Sequence, residues 1–219
     1  MNIWIFGHSA CLPHGIDNVN ECWTKQLQLS INANQLFVLA KEGVDNLFIY
    51  HSILSNINQI QHDDIVIVGW SHPSRKCFIS DDIYHDYNLD EKTATIYPGT
   101  PTFFRSRGVA HDTKNKWLSM KPKNQGVPYF DTWFQCYYNP IETQLNFRAY
   151  VDSARSMIPC QHLDFWFSKE SVKDLDVSGF YWLDFILEHK VWLSDTDTHP
   201  NCQGHNMISE YFKNQLTQV

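Results

Sequence analysis

A serine near the start of the chain and a histidine near its end are the residues whose types suit nucleophilic chemistry. Ser9 follows a short apolar run, and His199 lies two residues after Asp197 in a polar stretch. A serine hydroxyl becomes nucleophilic when a neighbouring base takes its proton, and an imidazole is such a base when an acid orients its other ring nitrogen. We therefore predict Ser9 as nucleophile, His199 as base and Asp197 as orienting acid, with Asp195 as the alternative acid.

The attack of a serine on an acyl carbon creates an oxyanion, which needs hydrogen-bond donors. Sharp turns after parallel strands supply such donors. The predicted donors are the backbone N–H of Ser9, the backbone N–H of Gly43 and the side chain of Ser71. Together these three positions form the predicted oxyanion hole.

Alternating strand and helix patterns explain how residues so far apart in sequence could meet. Short apolar runs rich in β-branched residues predict buried strands, and helical patterns between the first three strands predict crossovers and a parallel sheet. Open α/β sheets place their sites at the carboxyl ends of the strands. We therefore expect Ser9 and His199 at one sheet edge. The predicted strands are Asn2–Gly7, Gln35–Ala40, Asp64–Trp70 and Gln161–Phe167.

Capping residues and apolar spacing predict the helices. Asn18 or Asn20 would cap the first helix, and Asp45 or Asn46 the second. Pro140 opens a further helix, whose predicted apolar positions are Ile141, Leu145, Ala149, Ala154 and Ile158. Pro200 suits the first position of the last helix, because its missing N–H would be unpaired there. This places His199 in the loop that leads into that helix.

Two stretches break the regular alternation. Residues 72–139 carry scattered proline, glycine and aromatic residues, and we predict a long insertion at the site edge, with a small hairpin. Residues 168–190 read as a second irregular segment, with a short helix around 181–188. No repeat or linker divides the chain, so we predict a single domain over residues 1–219.

Composition restricts the classes of partner. The 219-residue chain is 43% hydrophobic with a formal net charge of −7, which argues against a nucleic-acid partner. No run approaches the roughly 20 apolar residues of a membrane span, and the N-terminal run is too short for a signal peptide. Neither HExxH nor a Cys/His cluster of zinc-like spacing occurs, so we predict no metal. The six cysteines are scattered, as in a cytoplasmic protein with reduced thiols.

Four short blocks, in order along the chain, resemble those of the SGNH (GDSL-type) hydrolases. The blocks are Gly7-His8-Ser9, Gly43 with Asn46, Gly69-Trp70-Ser71, and Asp197-Thr198-His199-Pro200-Asn201 with Gly204-His205. The resemblance implies a three-layer α/β/α sandwich, with a flavodoxin-like parallel sheet of about five strands. It also implies a cofactor-independent serine esterase acting on small acyl esters or acylated glycans, for example as a carbohydrate O-deacetylase.

The chain departs from the family pattern at three positions. His8 replaces the usual aspartate, Ser71 stands where the family has an oxyanion-hole asparagine, and Thr196 occupies the usual position of the acid. The predicted substrate-binding residues are Arg75, Asn46 and His8. Gly69-Trp70-Ser71, with the Pro73-Ser74-Arg75 that follows, also resembles a phage subgroup.

A second interpretation follows from these departures. The chain would then be a non-catalytic module of the same fold, such as a virion component that assembles with itself or with other proteins. Under this interpretation the protein is virion-associated, and under the first it is cytoplasmic.

Overall fold

The computed structural model describes residues 1–73, 75, 139–173, 175, 177–194 and 197–217, together with the backbone of 77–79, 103–105, 110–111 and 117–118. Its elements follow in chain order. They are β1 (Ile3–Gly7), α1 (Trp23–Ser30), β2 (Leu36–Ala40), α2 (Asn46–Asn56), β3 (Ile65–Trp70), β4 (Cys77–Ile79), β5 (Phe103–Arg105), β6 (Ala110–His111), β7 (Trp117–Leu118), α3 (Pro140–Met157), β8 (Gln161–Trp166), β9 (Phe180–Tyr181), α4 (Trp182–His189), β10 (Trp192–Ser194), β11 (Asp197–Pro200) and α5 (Cys202–Thr217).

Five parallel strands form the central sheet, in the order β2-β1-β3-β8-β9. The pairing of β3 with β8 runs without a break from Ile65 opposite Gln161 to Trp70 opposite Trp166. Within the described residues, three antiparallel ladders pair outside this sheet: β4 with β5, β6 with β7 and β10 with β11. The sheet therefore forms from strands on both sides of the 72–139 segment.

The strands alternate their side chains between two apolar layers, as the period of two requires. Trp4 and Phe6 face one cluster, which α2 and α3 cover, whereas Ile3 and Ile5 face the other, which α1, α4 and α5 cover. The result is a three-layer α/β/α sandwich. The predicted fold class is confirmed.

Some local predictions are corrected. Asp45 caps α2, because its Oδ1 accepts the Phe48 N–H at 3.0 Å. Asn18 caps a 3-10 turn over Val19–Glu21 instead of α1.

Of the apolar positions predicted for α3, Ala154 and Ile158 are buried, whereas Ile141 and Leu145 are not. Ile141 and Leu145 are 72% and 64% exposed, and the buried face carries Phe147 and Val151. Each exposed residue lies six positions before a buried one, which is about 240° around a helix.

The last part of the chain differs most from its prediction. Pro200 ends β11 opposite Trp192, so Pro200 is not helical and His199 lies in a strand. The helix begins at Cys202, because Asn201 supplies the cap: its Oδ1 accepts the Gly204 N–H at 2.9 Å.

Residues 168–190 are also more regular than predicted, since they hold the fifth sheet strand, β9, and α4. Within 72–139, Ser74, Lys76 and most of the later residues lie outside the described part. Among the described helices, none combines the length and apolar character needed to cross a bilayer.

Candidate active site

Ser9 lies directly after β1, at the carboxyl edge of the sheet. It begins a 3-10 turn over Ser9–Cys11, which His8 caps by accepting the Ala10 N–H on Nδ1 at 3.3 Å. Gly7 allows this turn, because a Cβ there would come within 2.5 Å of the Cys11 Sγ atom. The tight turn leaves Ser9 almost buried.

His199 and Asp197 form a hydrogen-bonded pair on β11. The distance from His199 Nδ1 to Asp197 Oδ1 is 2.6 Å, and the same oxygen accepts the His199 backbone N–H at 3.0 Å. The backbone bond, supported by the ring bond, holds the pKa of Asp197 below its ordinary value despite partial burial. An ionised carboxylate accepts a hydrogen bond from Nδ1–H, so the proton of the neutral ring lies on Nδ1 and Nε2 of His199 is the basic nitrogen.

The turn that begins at Ser9 contacts β11, so nucleophile and base candidates lie in neighbouring elements. His199 Nε2 is shielded from solvent and makes no hydrogen bond to any described residue, including Ser9. Catalytic hydrogen bonds are often long or poorly aligned in unliganded enzymes and tighten with substrate. The alternative acid Asp195, and Thr196 beside it, lie outside the described residues.

The predicted oxyanion donors come from three loops at this edge. Gly43 has φ of +63°, the left-handed conformation that glycine adopts without strain. The Lys41 N–H, two residues earlier, donates to Gly7 O at 3.4 Å, which brings this loop alongside the start of the Ser9 turn. Ser71 is buried, and its Oγ accepts a hydrogen bond from Arg75 Nη1 at 3.1 Å, so the hydroxyl proton can point elsewhere.

Asn46 holds the Ser71 backbone through both ends of its amide. Its Oδ1 accepts the Ser71 N–H at 2.8 Å, and its Nδ2 donates to Ser71 O at 3.0 Å. The structure thus places Asn46 as a link between the second and third loops of the site. This use of the amide differs from the substrate contact predicted for it.

His8 is buried among the rings of Phe165, Phe167 and Trp182, with centroid distances of 5.9–6.1 Å. Burial, together with the charge of Arg75, lowers the pKa of His8 well below its ordinary value. Because Nδ1 accepts the Ala10 N–H, the proton of the neutral ring lies on Nε2. His8 is therefore a neutral donor beside the nucleophile candidate.

The structure adds two residues to the site that the sequence patterns did not indicate. The His14 ring lies 4.3 Å from the His199 ring between centroids, and His14 Nε2 lies 3.1 Å from Glu42 Oε1. Both come from loops, one after β1 and one after β2, so no periodicity marks them. The one feature of the sequence that could have indicated them is their position: His14 lies five residues after Ser9, and Glu42 lies one residue before Gly43.

Solved structures with the same architecture align over nearly the whole chain. One is a member of the lipolytic protein G-D-S-L family from Veillonella parvula, at 8% identity and a TM-score of 0.53, covering 100% of this chain and 99% of that one. Another is the psychrotrophic esterase EstA from Pseudoalteromonas sp., in a structure inhibited by monoethylphosphonate. It aligns at 11% identity and a TM-score of 0.52, over 99% of this chain and 97% of that one.

The chain has the SGNH-hydrolase fold. At these identities, the alignments establish the architecture of the SGNH hydrolases and not their activity. No protein-family model matches the sequence, and no curated protein matches it. The case for an activity therefore rests on the residues at the sheet edge.

Proposed function

We propose that the protein is a serine esterase of the SGNH type, with Ser9, His199 and Asp197 as its catalytic residues. The observation that supports this most is the hydrogen-bonded Asp197–His199 pair, on a strand that contacts the Ser9 turn. The pair has the orientation a general base needs, with Nδ1 on the carboxylate and Nε2 available for a proton.

The proposed reaction has two stages. Ser9 Oγ attacks the acyl carbon while His199 Nε2 takes its proton, and the resulting imidazolium then protonates the departing alcohol. Water, deprotonated by the same nitrogen, attacks the acyl-serine, and the imidazolium returns the proton to Ser9 Oγ as the bond to the acyl carbon breaks and the carboxylic acid leaves. In both stages, the Ser9 N–H, the Gly43 N–H and the Ser71 hydroxyl would hold the oxyanion.

Arg75 compensates in part for the replacement of the family asparagine by Ser71. Its guanidinium donates to Ser71 Oγ at 3.1 Å, which fixes the hydroxyl oxygen and directs its proton away from Arg75. Arg75 also lies 5.2 Å from the centre of the Phe167 ring. In this proposal Arg75 orients an oxyanion donor and borders the acyl site.

The proposed substrates are small acyl esters, and the narrower proposal is an acetyl ester on a carbohydrate. The support for this class is the SGNH resemblance of the sequence blocks. The alternative function is a phage-type assembly role without catalysis. It predicts that Ser9 does not react with acyl esters or with serine-directed probes.

A fluorophosphonate probe tests the proposal, because it labels activated serines. We expect labelling of the wild type, loss in Ser9→Ala, strong reduction in His199→Ala, and full labelling of the control Ser30→Ala, whose serine lies at the end of α1. Hydrolysis of p-nitrophenyl acetate should follow the same order. Folded wild type that neither labels nor hydrolyses short acyl esters would overturn the proposal, as would labelling that survives Ser9→Ala.

A further inference from the structure

His14 covers one face of the His199 ring. The two imidazoles have centroids 4.3 Å apart and planes inclined at 39°. Trp182 approaches the same ring at 6.0 Å and 62°. The base candidate therefore packs against two other rings, and its Nε2 is shielded from solvent.

His14 is held in place by contacts on both sides of its loop. Its Nε2 lies 3.1 Å from Glu42 Oε1, which is an ion pair when His14 is protonated. The next residue, Gly15, has φ of +66° and lies so close to Leu193 that a Cβ would overlap that side chain. Leu193 belongs to β10, the partner strand of β11, so the loop is anchored to the hairpin that carries His199.

The hydrogen bond to Asp197 alone leaves the His199 ring incompletely held. The Asp197 side chain is 46% exposed and that of His199 is 26% exposed, so both side chains are partly open to solvent. A base works only while its ring keeps its orientation, and a displacement of about 1 Å can cost about 10²-fold in rate. The His14 ring packs on the face of the His199 imidazole, and this contact limits rotation of the imidazole that the hydrogen bond to Asp197 alone would allow.

We propose, on the basis of the esterase function proposed above, that His14 is a positioning residue and that Glu42 is its anchor. The His14 ring keeps His199 Nδ1 on Asp197 and keeps solvent from Nε2, without touching the reacting atoms. Because Glu42 precedes Gly43, the same contact ties the base to the loop that carries an oxyanion donor. The pair thus sets the distance between the two halves of the site.

Three variants separate packing from chemistry. His14→Ala removes the ring, and we expect kcat to fall about 10- to 100-fold with KM within about 2-fold, since the base is misplaced while the substrate contacts remain. His14→Phe restores a ring, and kcat should recover to within about 5-fold of the wild type. Glu42→Gln keeps the shape of the anchor without its charge and should have a smaller effect than His14→Ala.

A second measurement does not depend on activity. Diethyl pyrocarbonate modifies accessible imidazole nitrogens, and mass spectrometry of the peptide containing residue 199 gives its rate. We expect His199 to react several-fold faster in His14→Ala and at the wild-type rate in His14→Phe. Circular dichroism should show folded protein and similar thermal midpoints for all variants.

The outcomes are distinct. Unchanged kcat and unchanged modification of His199 in His14→Ala would overturn the inference. Equal loss of activity in His14→Ala and His14→Phe would also overturn it, because the imidazole would then be acting chemically. A wild type without hydrolysis would end the esterase proposal, and the modification rates would still decide whether His14 positions His199.

Discussion

At the scale of single residues, the acid and the base owe their contact to strand geometry. Asp197 and His199 are two apart on β11, and residues i and i+2 of a strand lie on the same face. The usual family acid, three positions before the histidine, would lie on the opposite face of such a strand. On β11 the carboxylate of Asp197 and the imidazole of His199 share a face, which allows their hydrogen bond.

We expect Asp197→Asn to lower kcat/KM for p-nitrophenyl acetate by about 10²–10⁴-fold. The amide does not stabilise the imidazolium and favours the wrong tautomer of His199. Asp195→Asn is the matched control and should retain most of the activity. The reverse order of the two variants would assign the acid to Asp195.

At the scale of elements, a glycine in β3 allows an aromatic ring to pack against the strand near the candidate site. Gly69 near the end of β3 faces the Phe165 ring, and a Cβ at Gly69 would overlap that ring. Phe165 in turn lies beside His8 and Trp23. The Phe165 ring can therefore lie against β3 and beside His8 only because residue 69 has no side chain.

Gly69→Ala should cost about 1–3 kcal/mol in the free energy of unfolding, since the added methyl overpacks the core. Urea titration measures this loss. Phe165→Leu in the same chain makes room for the methyl, so the double variant should lose less than the sum of the two single losses. Strictly additive losses would show that the overlap is relieved elsewhere.

The elements also show which features sequence patterns can predict. The first three strands are apolar runs and β8 ends in two aromatic residues, and the positions of all four were predicted to within one or two residues. The fifth strand, β9, has two residues and pairs only with the end of β8. Two residues are too few to show the alternation of apolar and polar side chains that predicts a strand. Pro200 was wrongly predicted as the first residue of the last helix. A proline followed by apolar residues at helical spacing does not show whether the proline itself lies in the helix or ends a preceding strand.

At the scale of the whole molecule, the first and last helices are joined through a buried histidine. His205 in α5 accepts the Trp23 N–H of α1 on Nδ1 at 3.3 Å, and the Trp23 ring stacks on Phe212 at 5.1 Å. Burial, with the nearby charges of His14 and His199, lowers the pKa of His205 to about 4. The contact between the two ends therefore requires a neutral imidazole.

This requirement predicts loss of stability in mild acid. The folded pKa of His205 is below the unfolded value of about 6.5, so the unfolded chain takes up the proton first as the pH falls. The contribution is complete above pH 6.5 and is lost between about 6.5 and 4. It amounts to about 2 kcal/mol between pH 7 and pH 5.

Urea unfolding at pH 7 and pH 5 tests this. His205→Asn keeps an acceptor for the Trp23 N–H but cannot be protonated, so its loss of stability between the two pH values should be smaller than that of the wild type by about 2 kcal/mol. Equal losses in the two proteins would show that His205 is not responsible.

The whole-molecule view also explains what the sequence could not predict about the site. The topology places Ser9 and His199 at one edge, and that much follows from a parallel sheet. The contact of His14 with His199 depends on how two loops pack, and loop packing has no periodic signature. The role of Asn46 is similar, because its bonds to Ser71 join positions 25 residues apart.

The link between Trp23 and His205 has a consequence for how this protein can evolve. A substitution at either position alters the packing of the other, and Trp23 also donates its Nε1–H to the Ala10 carbonyl in the Ser9 turn. Selection should therefore act on the two ends of the gene together, so that variation near position 23 is matched by variation near 205.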